Sequence, residues 1–153
     1  MNKVTKPQIL EFLRSVSVMA LAATHDDKPL STILLFAVDN DFNFYFATRS
    51  ETYKAKALEK NPKVSLSIWE HKKFLIQVDG LAKKIEKEEE INSTLDLLVS
   101  ATENIKDFWP PVVRSRSKGD YVVFKIKPNW LRALDLELES IAEDKTPFIE
   151  IEI

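Results

Sequence analysis

The sequence predicts a mainly antiparallel β fold, a small barrel with peripheral α-helices. Three observations lead there. Short apolar runs separated by tight turn signals recur along the chain, as around Asp39-Asn40-Asp41. The order is helix, three strands, helix, two strands, helix, two strands, which lacks the strict alternation of a parallel βαβ sheet. No repeat, low-complexity segment or linker interrupts the 153 residues, so 1–153 read as one domain with an acidic tail from about 139 to 153.

The first helix opens with Thr5 and Gln8 at capping-box spacing and Pro7 in the first turn. Ile9, Phe12, Leu13 and Val16 then fall on one apolar face. Val18 to Thr24 reads as a strand, and residues 25–29, His-Asp-Asp-Lys-Pro, as a turn. Leu30 to Val38 reads as a second strand, forming a hairpin with Phe42 to Thr48. Every residue from Ile33 to Val38 is apolar, so both faces of that strand are expected to be covered: one by the barrel interior, the other by a ligand or a second subunit.

A helix is expected from about Ser50 to Lys60, ending at Asn61-Pro62 because proline disfavours α geometry in the residue before it. Lys63 to Trp69 alternates Val64, Leu66 and Ile68 against Ser65, Ser67 and Trp69. Phe74 to Ile85 forms a long strand in which Gly80 marks a bulge or a close backbone approach. Glu88-Glu89-Glu90 opens a helix with acids at the positive end of its dipole, and Ile91, Leu95, Leu98 and Thr102 are its expected inner stripe. Residues 104–118 read as an irregular loop. Tyr121 to Lys127 and Trp130 to about Leu138 read as two closing strands, and the alternating tail Phe148 to Ile153 as an edge strand.

Composition removes many chemistries. There is no Cys, which excludes disulfides, thiolate metal sites and Cys nucleophiles. His25 and His71 are the only histidines, and neither has a triad partner in view. Gly80 and Gly119 are the only glycines, so no glycine-rich phosphate loop exists. The net charge of −2 gives no basis for nucleic-acid binding. Residues 135–153 hold seven acids and one Lys, leaving the rest of the chain with a +4 balance that suits a small anion. No apolar run reaches the ~18–20 residues of a membrane span, and no signal peptide opens the chain, so a cytoplasmic location without membrane contact is expected.

The strongest local feature is Phe44 to Lys54, where a strand gives way to a helix at hydroxyl residues. Thr48 with Glu51 has capping-box spacing, and Ser50 is an equally good cap. A helix N-terminus presents free N–H groups and partial positive charge, and Lys54 one turn in leans back over that end. Thr48, Arg49, Ser50, Thr52 and Lys54 therefore offer a phosphate clamp; ordinary capping with solvated cations is the competing reading. Trp109, in a Pro-rich loop, serves a ligand, a dimer contact or local packing. Arg114, Arg116 and Lys118 read as a phosphate contact or a solvated loop.

These residues resemble the pyridoxamine 5′-phosphate oxidase-like flavoproteins, the FMN-binding split β-barrels. The matching pieces are Ala20-Leu21-Ala22-Ala23-Thr24, Pro29-Leu30-Ser31-Thr32, Phe44-Tyr45-Phe46-Ala47-Thr48, the run from Tyr53 to Val64, and Gln77-Val78-Asp79-Gly80-Leu81-Ala82. The likeness covers about residues 8–136 in element order. It implies a Greek-key type split barrel, a homodimer, and FMN at the subunit interface. By the same resemblance, Thr48, Arg49 and Lys54 hold the phosphate, with Thr52 where a Ser is common and Tyr53 where an Arg is common. Ser31, Thr32, Ile33 and Leu34 run along the isoalloxazine ring, and Trp109 reaches the partner's flavin. Leu75 stands where a flavin-contacting Gln often sits, and Gln77 lies on the same strand face. The C-terminus lacks the Arg-Leu-Ala-Pro-like end of the vitamin B6 oxidases, which points away from oxidation of pyridoxamine phosphate itself.

Three functions follow as expectations. The first is a small FMN-dependent oxidoreductase acting on a small-molecule redox substrate, in which the flavin carries the chemistry and no side chain need act as acid or base. The second is a non-catalytic binder of flavin, a flavin-like cofactor or haem, as a carrier or stress-related protein. The third is an empty barrel used as a dimeric scaffold.

Overall fold

A computed structural model describes residues 4–101, 103, 121–137 and 148–153. Trp109, Arg114, Arg116, Lys118, Thr102 and the loop 104–118 lie outside these residues. Among the described residues three helices, α1 (Lys6–Val16), α2 (Tyr53–Lys60) and α3 (Glu88–Ala101), accompany eight strands. The strands are β1 (Val18–His25), β2 (Lys28–Leu35), β3 (Ala37–Val38), β4 (Phe44–Arg49), β5 (Lys63–Trp69), β6 (Phe74–Lys84), β7 (Tyr121–Asp135) and β8 (Phe148–Glu150).

All strand pairings among the described residues are antiparallel, in the order β2-β1-β5-β6-β7-β4-β3, with β8 added to β7. β2 and β3 stand at opposite ends of that path, yet Phe36 alone separates them in the chain. The sheet therefore has to curl until its two ends meet, and the Phe36 N–H bonds to the Ser17 carbonyl at 3.0 Å. The result is a split barrel filled by Met19, Leu21, Phe36, Phe44, Phe46, Leu66, Ile68, Ile76, Val78 and Phe124, all essentially buried. Phe46 and Phe124 stack across β4 and β7 with centroids 5.2 Å apart.

α1 forms as its sequence dictates. Thr5 accepts from the Gln8 N–H and Gln8 caps the Thr5 N–H in return, while Ile9, Phe12 and Leu13 are buried. The Phe12 ring meets Phe74 edge-on at 5.3 Å.

Four expected elements take a different form. The strand expected from Leu30 to Val38 is two strands: β2 pairs with β1, and only the short β3 forms the expected hairpin with β4. Side-chain periodicity cannot register a strand that changes partner midway. Coverage of both its faces is also incomplete within one chain, because Ile33 is 60% exposed. The two closing strands are one, β7, running through Pro128. Proline survives there because the register shifts between Asp79 and Gly80, so Pro128 sits at a bulge. An ideal Cβ on Gly80 would lie 2.6 Å from the Lys127 carbonyl oxygen, which is the close approach its sequence position implied.

α2 begins at Tyr53 rather than Ser50, capped by Thr52. Thr52 donates its own N–H to the Arg49 carbonyl, so residues 49–52 form a turn before the helix starts. On α3 the buried positions are Thr94 and Leu98, with Ile91 and Leu95 half-buried. The tail strand expected over Phe148 to Ile153 forms over Phe148–Glu150 and pairs with β7. No helix among the described residues is long and apolar enough to cross a membrane.

Candidate functional site

The β4–α2 junction gathers the hydroxyls first. Thr48 faces inward at the end of β4 and is 3% exposed. Its Oγ1 lies 3.1 Å from Thr52 Oγ1. Thr52 Oγ1 donates to the Arg49 carbonyl at 2.9 Å and accepts from the Ala55 N–H at 3.3 Å. The Thr52 proton is thus committed, and Thr48 donates in the shared bond. The first N–H groups of α2, those of Tyr53 and Lys54, have no partner within the helix.

Lys54 is half-buried and has no carboxylate in ion-pair range among the described residues. Burial alone pulls its pKa below the usual lysine value. Arg49 behaves differently. Its Nε lies 2.5 Å from Glu51 Oε1, on the exposed surface. A hydrogen bond from its own backbone and then the Arg49 guanidinium hold the Glu51 carboxyl below the ordinary range. Ser50 is exposed in the turn. Capping therefore falls to Thr52, and neither Thr48 with Glu51 nor Ser50 serves as the cap.

Tyr53 is 54% exposed and meets the His25 ring edge-on, with centroids 4.5 Å apart. This contact ties the N-terminus of α2 to the end of the β1–β2 hairpin. His25 is the last residue of β1 rather than part of a turn, and its Nε2 lies 3.3 Å from Asp26. Its Nδ1 is buried without a hydrogen-bond partner among the described residues. Local spacing assigns this imidazole no role because its packing partner is 28 positions away.

From that end, β2 leads along the outer face of the barrel. Ser31 and Ile33 point outward, Thr32 is half-buried, and Leu34 turns into the core at 7% exposure. Cross-strand register then defines rows on this outer face. Ile33 pairs with Ala20, Ala20 with Ser67, Ser67 with Gln77, and Gln77 with Arg132. The adjacent row runs Ser31, Ala22, Ser65, Asp79 and Trp130. Small side chains in the middle leave a shallow floor, bordered by Ile33 and by Trp69, which is 58% exposed.

Gln77 is not alone at its end of the row. Arg132 Nε donates to Gln77 Oε1 at 2.7 Å. The guanidinium lies 3.8 Å from the Phe148 ring centroid and 5.1 Å from that of Trp130. Trp130 Nε1 donates to Glu150 Oε1 at 3.1 Å, fixing the indole in turn. Sequence reasoning missed Arg132. Treating β7 as one alternating strand would have placed it opposite Gln77.

The structure thus brings Thr48, Thr52, Tyr53 and Lys54 together, and sets Ser31, Ile33 and Gln77 on one open face. Arg49 is drawn toward Glu51, and Trp109 lies outside the described residues.

The family model described as pyridoxamine 5′-phosphate oxidase matches residues 5–135. The chain belongs to the pyridoxamine 5′-phosphate oxidase family. A pyridoxine/pyridoxamine 5′-phosphate oxidase of Actinobacillus pleuropneumoniae serotype 5b is 32% identical over 77 residues, covering 50% of this chain and 37% of that enzyme. The chain therefore matches little more than a third of the length of this curated family member. Among solved folds, a pyridoxamine 5′-phosphate oxidase-like protein from Listeria innocua superposes with a TM-score of 0.68 at 22% identity, covering 85% of this chain and 98% of that one. A FAD-binding protein from Mesorhizobium loti gives 0.68 at 20% identity, covering 85% and 94%. The haem storage protein HutZ from Vibrio cholerae gives 0.65 at 19% identity, covering 82% and 91%. At these identities the structural likenesses establish the fold that family members share.

Proposed function

We propose that this chain is a flavin-binding protein of redox function, holding FMN where two copies meet. The observation that carries the proposal is Lys54: a half-buried cation without a carboxylate partner among the described residues, beside two hydroxyls and the free N–H groups of α2. A buried charge needs compensation, and a phosphate monoester supplies it. The donor set fits that group through Thr48, Thr52, Lys54 and the α2 N-terminus. Arg49 would have to leave Glu51 to join, and Ser50 is at hand in the turn.

The outer face supports the other half of the reading. Ser31 and Ile33 lead from the phosphate end across a floor of the small side chains Ala20, Ala22, Ser65 and Ser67, on which a planar ring system would lie. Thr32 and Leu34 contribute backbone along the same path. A second copy laid on this face would cover Ile33 and Trp69 and enclose the ring, with Gln77 and Trp109 as further contacts. The flavin supplies electron transfer when bound; the protein anchors, orients and excludes water. We read the whole chain, tail included, as one domain serving this site in the cytoplasm.

Absorbance of the purified protein tests the reading. The oxidised flavin bands are expected, or appear on titration with FMN, with Kd raised at least tenfold in Lys54→Ala. Protein that neither carries nor binds FMN overturns it. NAD(P)H-dependent bleaching with turnover of an acceptor separates an oxidoreductase from a non-catalytic carrier. Likeness to a haem storage protein keeps that carrier reading as the alternative, and a haem Soret band would mark it.

A further inference from the structure

We propose that Arg132 is a positioning residue that fixes the Gln77 amide as a hydrogen-bond donor to the flavin ring. The inference rests on the flavin reading above and extends it to the partner of one of its contacts. An arginine has five N–H donors and no acceptor. Whatever faces Arg132 Nε at 2.7 Å must therefore be the Gln77 carbonyl oxygen, as the geometry has it. The Gln77 NH2 is left directed away, and among the described residues it has no partner.

Arg132 can impose this because it is itself held. Phe148 lies 3.8 Å from the guanidinium, and Trp130, anchored by Glu150, closes at 5.1 Å. A guanidinium stacked on aromatic faces stays charged and loses little further freedom on making a bond. Among the described residues no carboxylate lies within ion-pair distance of it; Glu150, directly opposite on β8, spends its Oε1 on the Trp130 indole instead. Gln77 and Arg132 are directly paired on the outer face, in the row that ends at Ile33.

The pyrimidine edge of an isoalloxazine carries only weak donors and several acceptors, and it gains negative charge on reduction. A fixed N–H donor backed by a guanidinium stabilises the reduced ring more than the oxidised one. Loss of either device lowers the reduction potential of the bound flavin.

The test uses the full chain loaded with FMN and titrated with dithionite against a reference dye. Dithionite is oxidised to sulfite and delivers two electrons; solvent delivers the proton. Arg132→Met removes the charge and frees the amide. Gln77→Glu keeps the pair with Arg132 but presents only acceptors to the ring. Each is expected to weaken binding of reduced relative to oxidised FMN at least tenfold, which is a fall of about 30 mV for a two-electron couple. Should Arg132→Met fail to fold, Gln77→Glu decides. Wild-type potentials in a variant that binds FMN overturn the assignment of Arg132 and leave the flavin reading standing. Wild-type protein that takes up no FMN overturns both.

Discussion

Lys54 is charged where its surroundings oppose charge. Its lowered pKa means that the unfolded chain binds the Lys54 proton more tightly than the folded one. Stability from this group is therefore lacking at neutral pH and is gained as pH rises from the lowered value toward 10.5. Lys54→Met should leave the free protein at least as stable to heat as wild type, while weakening FMN binding by about 1.5–3 kcal/mol. Calorimetric melts beside an FMN titration check both halves. At Asp39 the charged form is instead the favoured one. Burial raises its pKa, but bonds from Asn43, Tyr45 and the Asp41 N–H outweigh that and hold it below 3.8. Burial and the bond to Asp39 push Tyr45 up to about 12. The Asp39 contribution is present above pH 3.8 and lost as pH falls through its lowered pKa. Asp39→Asn should cost roughly 1–3 kcal/mol at pH 7, and the gap to wild type should close in acid, as read by urea melts at both pH values.

At the scale of elements, the β6–β7 pair holds the barrel together, and its bulge depends on one residue. Gly80→Ala places a methyl group against the Lys127 backbone, and backbone cannot swing aside as a flexible side chain does. A loss of about 1–3 kcal/mol is expected in denaturant titration. The role of Gly80 was legible in the sequence because a lone glycine inside an apolar run has few explanations. Capping of α1 and the alternation of β5 were legible for the same reason: each is written in neighbouring residues. What escaped was set by distant partners. The split at Phe36 follows from closure of the sheet, the continuity of β7 from a glycine 48 positions upstream, and the Thr52 cap from a turn that competes with Ser50. The candidate site divides likewise. The hydroxyls and Lys54 could be named from local spacing, whereas Arg132 and His25 required pairing and packing.

For the whole molecule, the outer face is the open question that the fold poses. Ile33, Trp69 and Leu81 are each about half exposed there. Under the dimer proposal, Ile33→Glu plants a charge in the covered area. Sedimentation should show the pair dissociating at micromolar protein, with FMN affinity falling in parallel if both copies build the site. A variant that stays paired and keeps its FMN would show that contact lies elsewhere.

Strand order also bears on how the molecule is born. Among the described residues β4 borders only β3 and β7, and β7 begins at Tyr121. On a ribosome moving at ~5–20 residues per second, β4 leaves the tunnel roughly 4–14 seconds before the neighbour that will seal its long edge. Through that interval its phenylalanines have no permanent home, and a holding chaperone would find them there.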